Sequence, residues 1–118
     1  MKVSELEGAN LDYWTAKAEG HDDAFIYKPA NAVFLDRKIG KSNLSFEPSS
    51  DWAQGGPLID KYRITILQHG KDVEALIGYV NGYGGPECDV SAEGPTPLIA
   101  ACRCIVASVY GVDLVDLV

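Results

Sequence analysis

A chain of 118 residues with 17 acidic and 10 basic side chains carries a net charge of −7, and 47% of its residues are apolar. That length encloses one core without metal or disulfide support, and the composition is that of a globular chain rather than a disordered or membrane-spanning one. The charge repels a phosphate backbone, and the positive side chains are only partly segregated, so nucleic acid is not expected as a partner.

No apolar run reaches the length of a membrane helix, and the opening MKVSELEGANLDYW lacks the apolar centre of a secretory signal. The expectation is a cytoplasmic protein that does not touch a membrane. Cys88, Cys102 and Cys104 make an odd number of thiols, which are expected to stay reduced.

Taken in chain order, residues 6–18 read as an amphipathic helix, because Leu11, Trp14 and Ala18 recur at helical spacing with Leu6 one turn earlier. Gly20 stops it, and Ser4 with Glu7 has the spacing of a capping box. The runs FIY (25–27) and AVFL (32–35) flank a turn-like Lys28-Pro29-Ala30-Asn31 and predict a hairpin. Arg37, Lys38 and Lys41 belong to a solvated loop, after which Leu44 and Phe46 alternate with Ser45.

In DWAQGGPLI, residues 51–59, Ser50 or Asp51 is placed to cap one helical turn that Gly55 ends, and Pro57 starts a second short helix, PLIDKY. ITIL (64–67) and VEALIGYV (73–80) predict a second hairpin around a five-residue loop centred on Gly70. The stretch 81–94, with four glycines and a proline, reads as a long loop. Residues 97–110 form the last helix, with Thr96 as cap, Pro97 at its first position and Gly111 at its end. Its stripe of Leu98, Ala101, Cys102, Ile105, Val106 and Val109 is suited to lie on a sheet. The tail VDLVDLV is apolar enough to dock as a strand or as more helix.

Together these elements predict a single α+β domain over residues 1–118: an antiparallel sheet of about four strands, with the N-terminal and C-terminal helices packed on one face.

The blocks SELEGANLDYWTAKAEG, EPSSDWAQGGPLID and GPTPLIAACRCIVASVYG, in that order, resemble the NinX-like family of short bacteriophage and prophage proteins. The segment 21–43 and the apolar tail depart from that pattern. The resemblance implies a phage or prophage origin and a bacterial host cytoplasm. It brings no catalytic residues, because the family has no assigned biochemical function.

Chemistry has few footholds in the residues themselves. Cys102-x-Cys104 with Cys88, His21 and His69 offers zinc-ligand types, but residues two apart on a helix point about 200° apart. Cys102 is therefore expected in the core and Cys104 on the opposite side, away from it, with no metal and no cofactor. A thiol nucleophile would need His21 or His69 brought to Cys88, and nothing local requires that. GYVNGYGGP (78–86) lacks nucleotide-binding spacing; Tyr79 is expected in the sheet and Tyr83 free in the loop.

The expected function is that of a non-enzymatic interaction module, binding an unidentified host or phage protein through the loops at 48–57 and 81–95. Asp51, Trp52, Gln54, Gly55, Gly56 and Tyr83 are the candidate contact residues. Trp52 reads either as a plug in the core beneath its turn or as a recognition anchor, with partial burial expected. Two alternatives are a small enzyme using carboxylates such as Asp51 and Asp60, and an acidic mimic of nucleic acid that occupies a host protein.

Overall fold

The structure is a computed structural model that describes residues 2–35, 45–78, 80–82, 85–87 and 90–111. A 3₁₀ turn at Val3–Glu5 leads into α1 (Gly8–Ala18), followed by the strands β1 (Phe25–Tyr27) and β2 (Ala32–Phe34). Then come α2 (Trp52–Lys61), β3 (Thr65–His69) and β4 (Asp72–Ile77). Next are β5 (Val80–Gly82), β6 (Gly85–Glu87), β7 (Val90–Gly94) and α3 (Pro97–Tyr110).

The class is α+β, as the element pattern predicts, but the strands are grouped differently. β3, β4 and β7 form an antiparallel three-stranded sheet in that order, while β1–β2 and β5–β6 are separate hairpins. The third strand of the main sheet thus comes from Val90–Gly94, inside the stretch expected to be a loop. Its signal in sequence is weak, since VSAEG mixes one β-branched residue with polar and small ones.

The β3–β4 hairpin is present, but its strands run closer to the turn than expected. His69 pairs with Asp72, which leaves only Gly70 and Lys71 as the connection. Gly70 has φ +63°, a backbone state that glycine enters without the cost a β-carbon brings. β4 stops at Ile77 and does not continue to residue 80.

The sheet is packed on one face. Ile66, Ala75 and Ala92 lie abreast across the three strands, and Val73, Ile77 and Val90 alternate with them in phase. These residues meet Ala100, Ala101, Cys104 and Ile105 of α3 in the main core cluster. On its opposite flank α3 presents Cys102, Val106 and Ala107 to Val3, Leu6 and Leu11. α1 in turn covers the β1–β2 hairpin, where Ala16, Ala24 and Val33 are buried together.

α3 is therefore the central layer, and the two terminal helices do not share one face of the sheet. α3 covers the sheet and α1 lies against α3. This explains why α3 is buried nearly all round, with Ala100, Cys104, Ile105 and Val106 each at 0% exposure. Cys104 does point opposite to Cys102, as helical phase requires, but both sides of the helix are covered. The expectation that Cys104 faces away from the core fails for that reason. Its thiol packs in the sheet-side core and donates a long contact, 3.6 Å, to the Val90 carbonyl. Val109, expected on the buried stripe, is half exposed at 50%, while Tyr110 beside it packs edge-on against Trp14.

α1 begins two residues later than its apolar pattern suggests. Leu6 is buried in an extended connection ahead of it, and the first turn is closed by Glu5, whose Oε1 accepts the Lys2 backbone N–H at 3.2 Å. The Ser4–Glu7 box does not form. At the other end of the chain the punctuation holds: Thr96 Oγ1 accepts the Ile99 N–H at 3.1 Å, and the Gly111 N–H donates to the Ala107 carbonyl at 2.8 Å.

Candidate functional site

The DWAQGGPLI stretch folds as the beginning of one ten-residue helix, α2, and not as two short helices split at Gly55. Asp51 is its cap: Oδ1 accepts the Ala53 N–H at 3.0 Å. The helix runs on through Gly55, Gly56 and Pro57 because tertiary packing outweighs their local preferences. Gly55 is buried so tightly that a β-carbon there would stand 2.4 Å from the Pro48 carbonyl oxygen and 2.5 Å from Leu98 Cδ2. Pro57 gives up one helical hydrogen bond and keeps its ring exposed on the outer face.

A network of polar contacts fixes the entry to α2. Gln54 spends its side chain inward: Nε2 donates to the Ser45 carbonyl at 3.0 Å and to Asp51 Oδ2 at 3.2 Å, while Oε1 accepts the Glu47 N–H at 2.9 Å. The Ser50 and Asp51 amides both donate to the Glu47 carbonyl. Ser49 donates its N–H to Asp12 Oδ1 of α1 at 2.9 Å, and both residues are buried. At its other end α2 is latched by Glu19, the C-cap of α1, whose carboxylate takes Lys61 Nζ at 3.0 Å and the Tyr62 hydroxyl. Burial, followed by the bond to Glu19 and its charge, drives the Tyr62 pKa upward. α2 is thus tied to α1 at both ends.

On this frame Trp52 stands 58% exposed. The indole does not plug the core beneath the turn. Its Cε3 lies 4.0 Å from where a β-carbon on Gly56 would stand, so it leans along the outer face of the helix. Beyond it Gly56, Ile59, Asp60, Arg63 and Ile64 line a shallow groove of about 400 Å³. Of the candidate contact residues, Gly56 lines this groove, Trp52 leans beside it, and Asp51 caps the helix that carries them. Gln54 and Gly55 instead hold the helix from behind, and Tyr83 lies outside the described residues.

Residues proposed for chemistry do not converge. Asp51 and Asp60 sit at opposite ends of α2, nine residues and so about 13 Å apart along its axis, beyond the reach of a catalytic carboxylate pair. His69 Nε2 contacts Glu74 Oε1 at 2.9 Å on the exposed hairpin, while His21 packs edge-on against Phe46 on the far hairpin. Cys88 lies outside the described residues. Among the described residues no three His, Cys, Asp or Glu side chains are placed to hold a metal ion. Nor is any helix among them long and apolar enough to cross a membrane.

A second cleft, of about 310 Å³, opens between the N-terminal turn, β7 and α3, and is lined by Lys2, Val3, Ser4, Ser91, Glu93 and Ala107, among others. Beside it Arg103 bridges two layers: Nε donates to the Leu6 carbonyl and a terminal nitrogen to the Glu93 carbonyl, each at 2.9 Å. That role is structural, and burial lowers the Arg103 pKa.

The sequence reading missed the polar cluster behind α2. Asp12, Thr15, Ser49 and Cys102 are all buried. Burial pushes the Cys102 thiol up to about 12, a Thr15 hydrogen bond opposes this, and the Asp12 charge adds to it; such a thiol stays protonated and is no nucleophile. Burial likewise raises the Asp12 carboxyl above its ordinary range, the hydrogen bonds from Ser49 oppose the rise, and the Glu47 charge adds to it. Because the folded-state pKa lies above the unfolded one, Asp12 contributes stability at acid pH. That contribution is lost as pH rises from the ordinary carboxylate range through the raised value. Asp12→Asn keeps an oxygen for the Ser49 N–H and removes the ionisation. Its stability relative to the unsubstituted chain is expected to improve as pH rises across that window, as read by denaturant unfolding at acid and neutral pH. A difference that stays flat or falls would contradict the raised pKa.

Residues 2–109 match the model of a protein family described as bacteriophage P22 NinX. The match takes in the segment 21–43, which the three sequence blocks leave uncovered. No curated protein matches the chain.

Proposed function

We propose that this chain, which belongs to the bacteriophage P22 NinX family, is a non-enzymatic interaction module that binds a host or phage protein through the outer face of α2. One observation carries this reading: an indole 58% exposed on a helix fastened at both ends. A large aromatic side chain held in water on a rigid support costs hydration without stabilising the fold, and it offers contact area with little entropy left to lose. Asp51 holds its first turn, Gly56 keeps the neighbouring surface low, and the groove toward Arg63 gives a partner side chain somewhere to sit.

The test separates support of the fold from recognition. Trp52→Ala is expected to change unfolding free energy by less than about 1 kcal/mol, since little apolar area is buried there. The same substitution is expected to abolish capture of a partner by the immobilised protein from lysates of infected bacteria. In a Trp14→Phe background the remaining fluorescence should be red-shifted and readily quenched. Undiminished capture by the Trp52→Ala protein overturns the reading.

A further inference from the structure

The outer face of α2 is complementary to itself. At its N-terminal end stand the exposed indole of Trp52 and the Asp51 carboxylate, at its middle the low surface over Gly56, and next along it Ile59. Arg63 closes the row just past the C-terminus of the helix, lining the same groove as Gly56 and Ile59. Its side chain is exposed and makes no hydrogen bond or ion pair among the described residues. The neighbouring cation, Lys61, is already held by Glu19. The face therefore carries an aromatic end with the Asp51 cap beside it, a hollow with an aliphatic side chain next to it, and an end where Arg63 stands with the exposed Asp60 one turn before it.

Those ends match when the face meets a copy of itself running the other way. We propose that α2 pairs antiparallel with α2 of a second copy of this chain about a two-fold axis. Trp52 and Asp51 then receive the guanidinium of Arg63 of the partner subunit, and Gly56 receives Ile59 of the partner subunit. A guanidinium over an indole, with a carboxylate beside it, joins a cation–π contact to a charge pair, and lysine fits that site less well than arginine. Two-fold symmetry forms each contact twice, so a short helix face gains a doubled set of anchors. A helix pair of ten residues per copy is at the small end of protein interfaces, so the dimer is expected to exchange with monomer instead of being permanent. This rests on the reading of Trp52 as an anchor and names its partner as the chain itself.

Sedimentation equilibrium of the full chain, from low micromolar to near-millimolar concentration, tests it. Moderate salt screens the mutual repulsion of two chains that each carry −7. The weight-average mass is expected to climb toward two chains. Trp52→Ala and Arg63→Gln should each weaken association by at least about tenfold while leaving the circular dichroism unchanged. Tyr27→Ala, at an aromatic residue 48% exposed on the far hairpin, should leave association unaltered. A chain that stays monomeric throughout, or a dimer indifferent to both substitutions, overturns the proposal, and dependence on Trp52 without Arg63 overturns the antiparallel register. Monomeric protein that still captures another protein in a Trp52-dependent way sinks the self-pairing and leaves the interaction-module reading standing. Loss of both sinks both.

Discussion

Gly55→Ala is expected to destabilise the fold by about 2 to 3 kcal/mol, and Gly56→Ala to stabilise it by up to about 1 kcal/mol, although both replace a glycine in the same helix. Alanine in a helix interior ordinarily gains, because glycine loses more backbone entropy on folding. At Gly56 nothing opposes that gain: the nearest atom to an added β-carbon is Trp52 Cε3, at 4.0 Å. At Gly55 the added carbon meets the Pro48 carbonyl oxygen at 2.4 Å and Leu98 Cδ2 at 2.5 Å. A rotamer change at Leu98 does not relieve the clash, because that side chain is 4% exposed and the Pro48 contact is with backbone. The helix must instead move away from α3, which opens the contact between them and pulls on the Asp12–Ser49 bond behind it. Chemical denaturation of the two single variants checks this. Changes of the same sign at both positions would mean that α2 does not lie against Pro48 and Leu98 as described.

Those glycines show where the sequence stops being informative. In DWAQGGPLI the pair Gly55-Gly56 before Pro57 reads as a break, because each residue taken alone disfavours helix. The reason for Gly55 is a close approach to residues 7 before it and 43 beyond it, a contact no local pattern displays. Asp12 is similar. Its apolar neighbours place it outside the helical stripe of Leu11, Trp14 and Ala18, yet it is buried because the Ser49 amide, 37 residues away, needs an acceptor there. β7 was hidden for another reason: a strand of five residues ending in Glu93-Gly94 has little side-chain pattern to show, and its place is set by pairing with β4.

Features that depend on near neighbours were legible. The cap, the first-position proline and the terminal glycine of α3 all lie within a turn of what they act on. The β1–β2 register follows from its short connection, and the three sequence blocks suffice to identify the family. Of the candidate site, Asp51 as cap was readable, whereas Trp52 read equally as core plug or anchor with partial burial expected, and its 58% exposure was not foreseen. The inward commitment of Gln54 was not, because its partners at Ser45 and Glu47 become available only once the preceding segment turns back on the helix.

The central position of α3 makes the second large effect. Ile105→Ala is expected to cost about 3 to 4 kcal/mol, and Val109→Ala no more than about 0.5 kcal/mol, though both belong to the same apolar stripe in the sequence. Ile105 is at 0% exposure and packs in the cluster that joins the sheet residues Val73 and Ala75 to Leu58 of α2. Removing its side chain takes apolar atoms out of the contact between layers that are each anchored elsewhere. The sheet is fixed by its ladders and α2 by its bonds to α1, so neither closes easily on the space left behind, and the cavity contribution is added to the lost transfer energy. Val109 is half exposed one turn later, and its loss leaves no void. Cys104 reports on the same layer from the adjacent position: if sheet and helix separate in the Ile105→Ala protein, its thiol becomes reactive to a water-soluble disulfide reagent in native buffer, whereas in the Val109→Ala protein it stays protected. Equal costs at the two positions would place α3 at the surface of the sheet, with one buried face, and would remove the layered arrangement that holds α2 and its indole in place.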